Sequence, residues 1–257
     1  MLKFFRRLTG FSPNEIVRKI YRLPSYFRSY FKFKKQFKQN PDTFSIACNY
    51  PCLLDIDEEG GAATGIYFNQ DLYVAQEIFK RKPIKHLDIG SRMDGFIAHV
   101  ASYREIEVMD IRDITTKVEN VVFVQKDLMQ EDKSFFEYCD SLSCLHVLEH
   151  FGLGRYGDIL DVDGHKKGIK NISKILKKGG TAYISVPIGD QRIEFNAHRV
   201  FSIRYLLDIF ENYFNFQSFS YINDAGTLFK DITLTEELLD NNCGCHYGCG
   251  IFTLIKK

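Results

Sequence analysis

The decapeptide at positions 86–95, His-Leu-Asp-Ile-Gly-Ser-Arg-Met-Asp-Gly, leaves few folds open to this chain. Residues 84–89 are a short apolar run of the kind that forms a buried parallel strand, and the run stops abruptly at Gly90 and a polar loop. Residues 96–103 then read as a helix. A strand, a glycine turn and a helix N-terminus make a crevice in which backbone N–H groups and the helix dipole face a ligand. Roughly twenty residues on, Glu107-Val108-Met109-Asp110 offers a second strand ending in an acid, a position from which a carboxylate accepts two hydrogen bonds from ribose hydroxyls. That is half of a nucleoside-binding site.

The pattern continues as an alternating series. Residues 121–124 read as a third strand followed by Asp127, and Phe135-Phe136-Glu137-Tyr138-Cys139-Asp140 precedes a fourth at 141–148. Residues 166–177 form an amphipathic helix with Ile169, Ile172, Ile175 and Leu176 on one face; Lys178-Gly179-Gly180 ends it, and 181–187 supply a fifth strand. Residues 214–222 and 249–255 would close the sheet as an antiparallel pair. Ahead of the first strand, residues 67–72 lead into a helix to about Lys80, with Asn69 as its cap and Val74, Ile78 and Phe79 apolar at helical spacing.

Leu87-Asp88-Ile89-Gly90, then Asp110, then Lys126-Asp127-Leu128 resemble the first three motifs of the class I S-adenosylmethionine-dependent methyltransferases. The stretch Ile-Leu-Lys-Lys-Gly-Gly-Thr-Ala-Tyr-Ile-Ser-Val-Pro at 175–187 resembles the same superfamily. Its first motif usually continues Gly-x-Gly, whereas here Ser91, Arg92, Met93 and Asp94 precede Gly95, which alters how closely backbone approaches the amino-acid end of the cofactor. Gly-Ser-Arg-Met-Asp-Gly-Phe at 90–96, Glu-His-Phe-Gly-Leu-Gly-Arg-Tyr-Gly-Asp at 149–158 and Phe-Asn-Ala-His-Arg at 195–199 resemble an uncharacterised branch, a domain of unknown function, from roughly Gly65 to the C-terminus.

The resemblance implies an α/β fold: a Rossmann-like, mostly parallel sheet with an antiparallel last strand, binding S-adenosyl-L-methionine. It implies that Asp88, Gly90, Ser91 and Gly95 form the cofactor loop, that Asp110 holds the ribose, and that Asp127 meets the adenine amino group. Asp127 also reads as a loop aspartate capping a turn. Gln70 and Asp71, on the helix before the first strand, would reach the cofactor's amino group, although a capping or surface role fits them as well.

Chemistry in open α/β sheets sits beyond the carboxyl ends of the strands, where Glu149 and His150 follow strand four. A histidine of ordinary pKa, about 6.5, can take a proton from a substrate hydroxyl as a methyl group arrives, and a carboxylate beside it holds its tautomer. His150 is the first candidate for this base, His198 the second, and Glu149 the carboxylate. The alternative is that the histidines only shape the pocket.

Length and composition bound the rest. At 257 residues, 45% hydrophobic and 26% charged, the chain is expected to be a soluble globular protein with one main α/β core. Seven cysteines in such a length do not form a secreted disulfide framework, so a cytoplasmic location is expected. No apolar run reaches the roughly 18 residues of a membrane span, and the N-terminus lacks the apolar stretch of a signal peptide. Cys243, Cys245, His246 and Cys249 offer thiolate and imidazole, but not in finger or ribbon spacing, so no metal is expected.

Net charge of +1 hides an asymmetry: residues 1–40 hold eleven Lys or Arg against the single acid Glu15. Ser12-Pro13-Asn14-Glu15 has the form of a capping box opening a helix to about Leu23, and Ser25 can cap a second after Pro24. In that second helix Tyr26, Phe27, Tyr30, Phe31 and Phe37 lie largely along one side among Arg28, Lys32, Lys34, Lys35 and Lys38. This suits an anionic membrane surface, or else the aromatics pack on the chain's own core; with no folded nucleic-acid module present, nucleic acid is not an expected partner.

The expected organisation is therefore a basic amphipathic extension at 1–40, a connector at 41–65 and a methyltransferase-like domain at 66–257. The expected function is methyl transfer to an oxygen of a small-molecule, sugar or glycan acceptor, possible at the membrane's inner face. The alternatives are a non-catalytic binding or assembly protein on the same fold, or a nucleotide or nucleotide-sugar enzyme.

Overall fold

Four consecutive buried residues, His86–Ile89, make β1, the strand onto which the sheet is built. In the computed structural model, which describes residues 13–39, 45–46, 48–57 and 65–257, β1 pairs in parallel with β2 (Ile106–Asp110) and with β4 (Cys139–Leu145). β3 (Val121–Gln125) continues in parallel beyond β2, and β5 (Leu176–Ile188) beyond β4. β10 (Gly248–Lys256) then inserts antiparallel between β5 and β8 (Phe214–Ile222), with β9 (Leu228–Phe229) at the edge. The order is β3-β2-β1-β4-β5-β10-β8-β9, and β6 (Arg192–Glu194) with β7 (His198–Val200) form a separate hairpin.

Helices cover both faces. Ile169 and Ile172 of α4 (Gly164–Ile175), with Leu206 and Phe210 of α5 (Ile203–Phe210), pack on Leu87, Leu142 and Ile184. On the other face Val74 and Ile78 of α2 (Ile66–Arg81), with Val100 of α3 (Ala98–Ala101), pack on Val108, Tyr183 and Ile251. Burying each such aliphatic side chain is worth about 1.5–3 kcal/mol, so the central strands hold their place through both faces at once. This is the Rossmann-like sheet of the class I methyltransferases, with its antiparallel last strand.

The chain clusters into two compact units, Met1–Ala62 and Ala63–Lys257. In the first, α1 (Pro13–Gln39) carries Arg18 and Arg22, which pair with Asp57, Arg18 at 3.1 Å. Among the described residues no helix is long and apolar enough to cross a membrane.

Several expected boundaries shift. α1 is one continuous helix with Pro24 inside it, because a proline forfeits one backbone bond while the turns on either side keep theirs. Ser12 of the expected capping box lies outside the described residues, as do residue 40 of the extension and residues 41–44, 47 and 58–64 of the connector. Asn69 does not cap α2: Gly65 holds the cap position, and the Asn69 amide donates to the carbonyls of Gly65 and Gly226 at 3.3 and 2.9 Å. The helix expected at 96–103 is a π-turn over Met93–Ile97 followed by α3, since Gly95 leaves helical conformation. β4 stops at Leu145, because His146 has φ 54° and turns the chain out of the ladder. The glycine pair after α4 lies inside β5, with Gly179 at φ 77°, where the β4–β5 register shifts.

Candidate active site

The loop after β1 is shaped from beneath. Asp88 is fully buried, and its carboxyl accepts from the Ser91 amide at 2.9 Å, the Ser91 hydroxyl at 2.8 Å and the Ser143 hydroxyl at 2.5 Å. Burial pushes its pKa up to about 7 against those bonds. Asp88 thus acts on the crevice through Ser91, itself buried, rather than at its surface. Gly90 has φ 67°, and a Cβ there would meet Val147 at 2.9 Å, while a Cβ on Gly95 would meet Asp71 Oδ2 at 2.6 Å. The positive φ at Gly90 suits glycine, and a side chain at Gly95 would push against the Asp71 carboxylate.

Asp71 comes from α2 together with Gln70, both buried. The Gln70 amide donates to Asp71 Oδ1 at 2.9 Å, and Gln70 Oε1 accepts from the Ser185 hydroxyl at 2.5 Å and the Cys249 thiol at 3.4 Å. Burial raises the Asp71 pKa. Neither residue is the surface group that the sequence left open, and Asp71 also accepts from the Phe96 amide.

Asp110 ends β2 with its side chain almost fully covered, and Arg112 covers it. Asp110 Oδ1 accepts from the Arg112 amide at 2.8 Å and from Nε at 3.0 Å, and Oδ2 accepts from Nη2 at 2.6 Å. Asp127 caps its own turn, accepting from the Met129 amide at 2.9 Å and from the Gln130 side chain at 3.3 Å.

Four ionisable groups gather past β4. Glu149, buried, sits in the 3-10 turn Leu148–His150 and takes the His146 Nδ1 contact at 2.9 Å on Oε1, with His150 Nε2 at 3.7 Å from the same oxygen. Burial opposes charge on His146, but the Cys249 sulfur and the Glu149 carboxylate raise its pKa well above the ordinary value. Burial would raise the Glu149 pKa, and the His146 contact lowers it instead. His150 Nδ1 lies 2.7 Å from the Ala197 carbonyl, and burial lowers the His150 pKa against the Glu149 charge. His198, on β7, has Nδ1 3.5 Å from the Tyr247 hydroxyl and Nε2 3.3 Å from Glu194 Oε2, and burial lowers its pKa.

Sequence reasoning named Glu149, His150 and His198 but passed over His146 and Arg112. The signal for His146 was its i,i+3 spacing to Glu149 directly after an apolar strand; for Arg112, its place two residues beyond the acid. Arg199 was also missed: its buried guanidinium donates to the carbonyls of Glu149, Phe151, Asp161 and Val162, at 3.4, 2.6, 3.5 and 3.4 Å. Among the described residues no three His, Cys, Asp or Glu side chains form a metal-binding group.

A family profile described as "Caenorhabditis protein of unknown function, DUF268" matches residues 96–243, beginning just past Gly95 and spanning the His146–His198 region. No curated protein matches the chain. Among solved structures it is similar to the 1,6-didemethyltoxoflavin-N1-methyltransferase of Burkholderia thailandensis with bound S-adenosylhomocysteine (15% identity, 96% of this chain and 91% of that one, TM-score 0.52). It is also similar to the N-methyltransferase NodS of Bradyrhizobium japonicum WM9 in complex with S-adenosyl-L-homocysteine (13%, 82% and 93%, 0.50). A third likeness is to the [4+2]-cyclase SpnF (12%, 77% and 85%, 0.53). At such identities the likeness is one of fold, and a cyclase among these structures illustrates that fold alone does not give the reaction.

Proposed function

This chain belongs to the DUF268 family, and from that premise we propose that it is an S-adenosyl-L-methionine-dependent methyltransferase acting on an oxygen of a sugar or glycan. One observation carries the reading. His150 stands beyond β4, with Nδ1 2.7 Å from the Ala197 carbonyl and 3.3 Å from Arg155 Nη1, in a sheet whose first two strands run to Ile89 and Asp110; we assign the proton to Nδ1, which leaves Nε2 as the acceptor.

The residues fit the cofactor. Asp110 suits a ribose diol, and buried Asp71 beside Gly95 suits an ammonium group. Asp127 and the backbone after it would border the adenine. When bound, the cofactor supplies a methyl group on a sulfonium, the electrophile. His150 Nε2 would take the proton of the acceptor hydroxyl as its oxygen displaces the thioether from the methyl carbon, and Glu149 Oε1, 3.7 Å from Nε2, would stabilise the imidazolium that results. Burial and the charge of His146, which meets the same Glu149 oxygen at 2.9 Å, lower the His150 pKa and favour a neutral, proton-accepting His150. His198 is the second candidate for the base.

Calorimetry with S-adenosylmethionine tests the cofactor assignment: the wild type should bind, and Asp110→Ala should weaken binding by about 1.5–3 kcal/mol with the fold intact. An acceptor can be sought by incubating protein and methyl-labelled cofactor with cell-envelope extract. With it, His150→Gln should lower kcat about a hundredfold at unchanged cofactor affinity, and His198→Gln, run in parallel, should cost less. Because His150 must be neutral to act and its pKa is lowered, kcat should hold as pH falls through about 6.5 and drop only below it. Full turnover by both variants would remove the histidine mechanism.

The second reading, a non-catalytic binding or assembly protein, draws on Ser91–Asp94 standing in place of Gly-x-Gly and on Arg112 lying across Asp110. Cofactor binding without any methylated product would favour it. We assign 66–257 to the catalytic domain, 41–65 to a connector, and 1–40 to attachment at the cytoplasmic face of an anionic bilayer. That last assignment is supported by exposed Ile20, Phe27, Phe31 and Phe33 on the basic α1.

A further inference from the structure

Arg112 touches both halves of the crevice. Its guanidinium holds Asp110 with one donor on each oxygen, 3.0 and 2.6 Å, and lies 4.6 Å over the ring of Tyr156. Arg155 lies 5.1 Å from the same ring, so Tyr156 is gripped by two guanidinium groups. Tyr156 also meets His150 edge-on at 5.4 Å, and Arg155 donates to the Ala197 carbonyl at 2.9 Å, the acceptor that His150 uses. A continuous set of contacts therefore runs from the acid of β2 to the base beyond β4.

The segment at the far end is held together internally. Asp158 accepts from the amides of Gly152, Gly154 and Tyr156 at 2.8, 3.2 and 3.1 Å, which fixes 152–158 internally. Gly152 is pinned against the Asp161 backbone, whereas Gly157, with φ of 83°, stands in open space beside the exposed Arg155 and Tyr156.

We propose that Arg112 is a positioning residue that gives up Asp110 to the cofactor's ribose and in doing so releases the 152–158 segment from Tyr156 outward. This rests on the reading of Asp110 as the ribose acid. A ribose diol binds a carboxylate as a guanidinium does, with one donor to each oxygen, so the two compete for the same pair of atoms. The exchange is feasible because Arg112 is half exposed, and such a pair is weak. By linkage, whatever loosens the Arg112–Tyr156 contact strengthens cofactor binding, and cofactor binding prepares the segment beside His150 for an acceptor.

The test uses the full-length protein with S-adenosylhomocysteine, which lacks the sulfonium charge. In calorimetry Arg112→Ala should bind it about fivefold more tightly than wild type, the scale of one half-exposed ion pair, and Arg112→Lys should fall between. The gain should appear with adenosine and vanish with 2′,3′-dideoxyadenosine, which has no diol to offer. In amide exchange, the ligand should accelerate residues 152–158 in wild type, while Arg112→Ala should be fast without ligand and unchanged by it. Equal or weaker binding by Arg112→Ala, or a wild-type segment that the ligand leaves unchanged or slows, overturns the inference. If neither wild type nor variants bind at all, the cofactor reading falls and this inference with it; if wild type binds and the variant gains nothing, only the inference falls.

Discussion

Asp88 and His86 show how burial tunes individual groups under the crevice. A line of contacts runs from Ser141 to His86 Nδ1 at 2.8 Å, from His86 Nε2 to Ser143 at 3.1 Å, and from Ser143 to Asp88 at 2.5 Å. Burial pushes His86 down to about 3, so it stays neutral, and Asp88 up to about 7. The two have opposite consequences. Asp88 has a raised folded pKa, so its contribution to stability is complete below the unfolded value of about 3.8 and is lost as pH rises through about 7. His86 has a lowered one, so stability is lost as pH falls from about 6.5 toward 3. Asp88→Asn removes only the first. Urea unfolding should find the variant gaining on wild type between pH 5 and pH 8; a constant difference would mean that Asp88 is ionised throughout. Residue types alone pointed to Asp88 and His150, but not to their states. His150 is set by a carbonyl 47 positions away, and no local pattern reports such a contact.

Among the elements, the segment from Glu149 to Val162 depends on a strand that follows it in sequence. Arg199 of β7 inserts its guanidinium among that segment's carbonyls, and a Cβ on Gly152 would strike the Asp161 carbonyl at 1.9 Å, so the segment folds back tightly on itself. Arg199→Met keeps the stem and removes the donors, leaving buried carbonyls unpaired. It should cost about 2–4 kcal/mol in urea unfolding and speed amide exchange across 149–162. Loss of stability without faster exchange there would assign Arg199 to the core instead. The elements themselves were largely legible, because strand and helix periodicities are local properties of the chain. Their ends were less so: β4 stops early on the left-handed backbone of His146, and Pro24 sits within α1 where it was expected to divide two helices.

At the scale of the molecule, the charge asymmetry is concentrated in the N-terminal unit, where α1 exposes Ile20, Phe27, Phe31 and Phe33 among its Lys and Arg side chains. Full-length protein should co-sediment with vesicles containing anionic lipid, salt should weaken this without abolishing it, and deletion of 1–40 should release the protein. Equal binding by both forms would refute attachment through α1. The alternation of short buried runs with amphipathic helices was enough to anticipate a mostly parallel sheet closed by an antiparallel strand, since each run needs both faces covered and the last two are long enough to pair with each other. It also located Gly90, Asp110 and the Glu149–His150 turn at strand ends. It did not reveal that Arg112 occupies Asp110, that His146 rather than His150 takes the direct contact with Glu149, or that Asp88 lies wholly beneath the loop. Those are matters of side-chain direction and burial, and they arise only when residues tens of positions apart are brought within a hydrogen bond of one another.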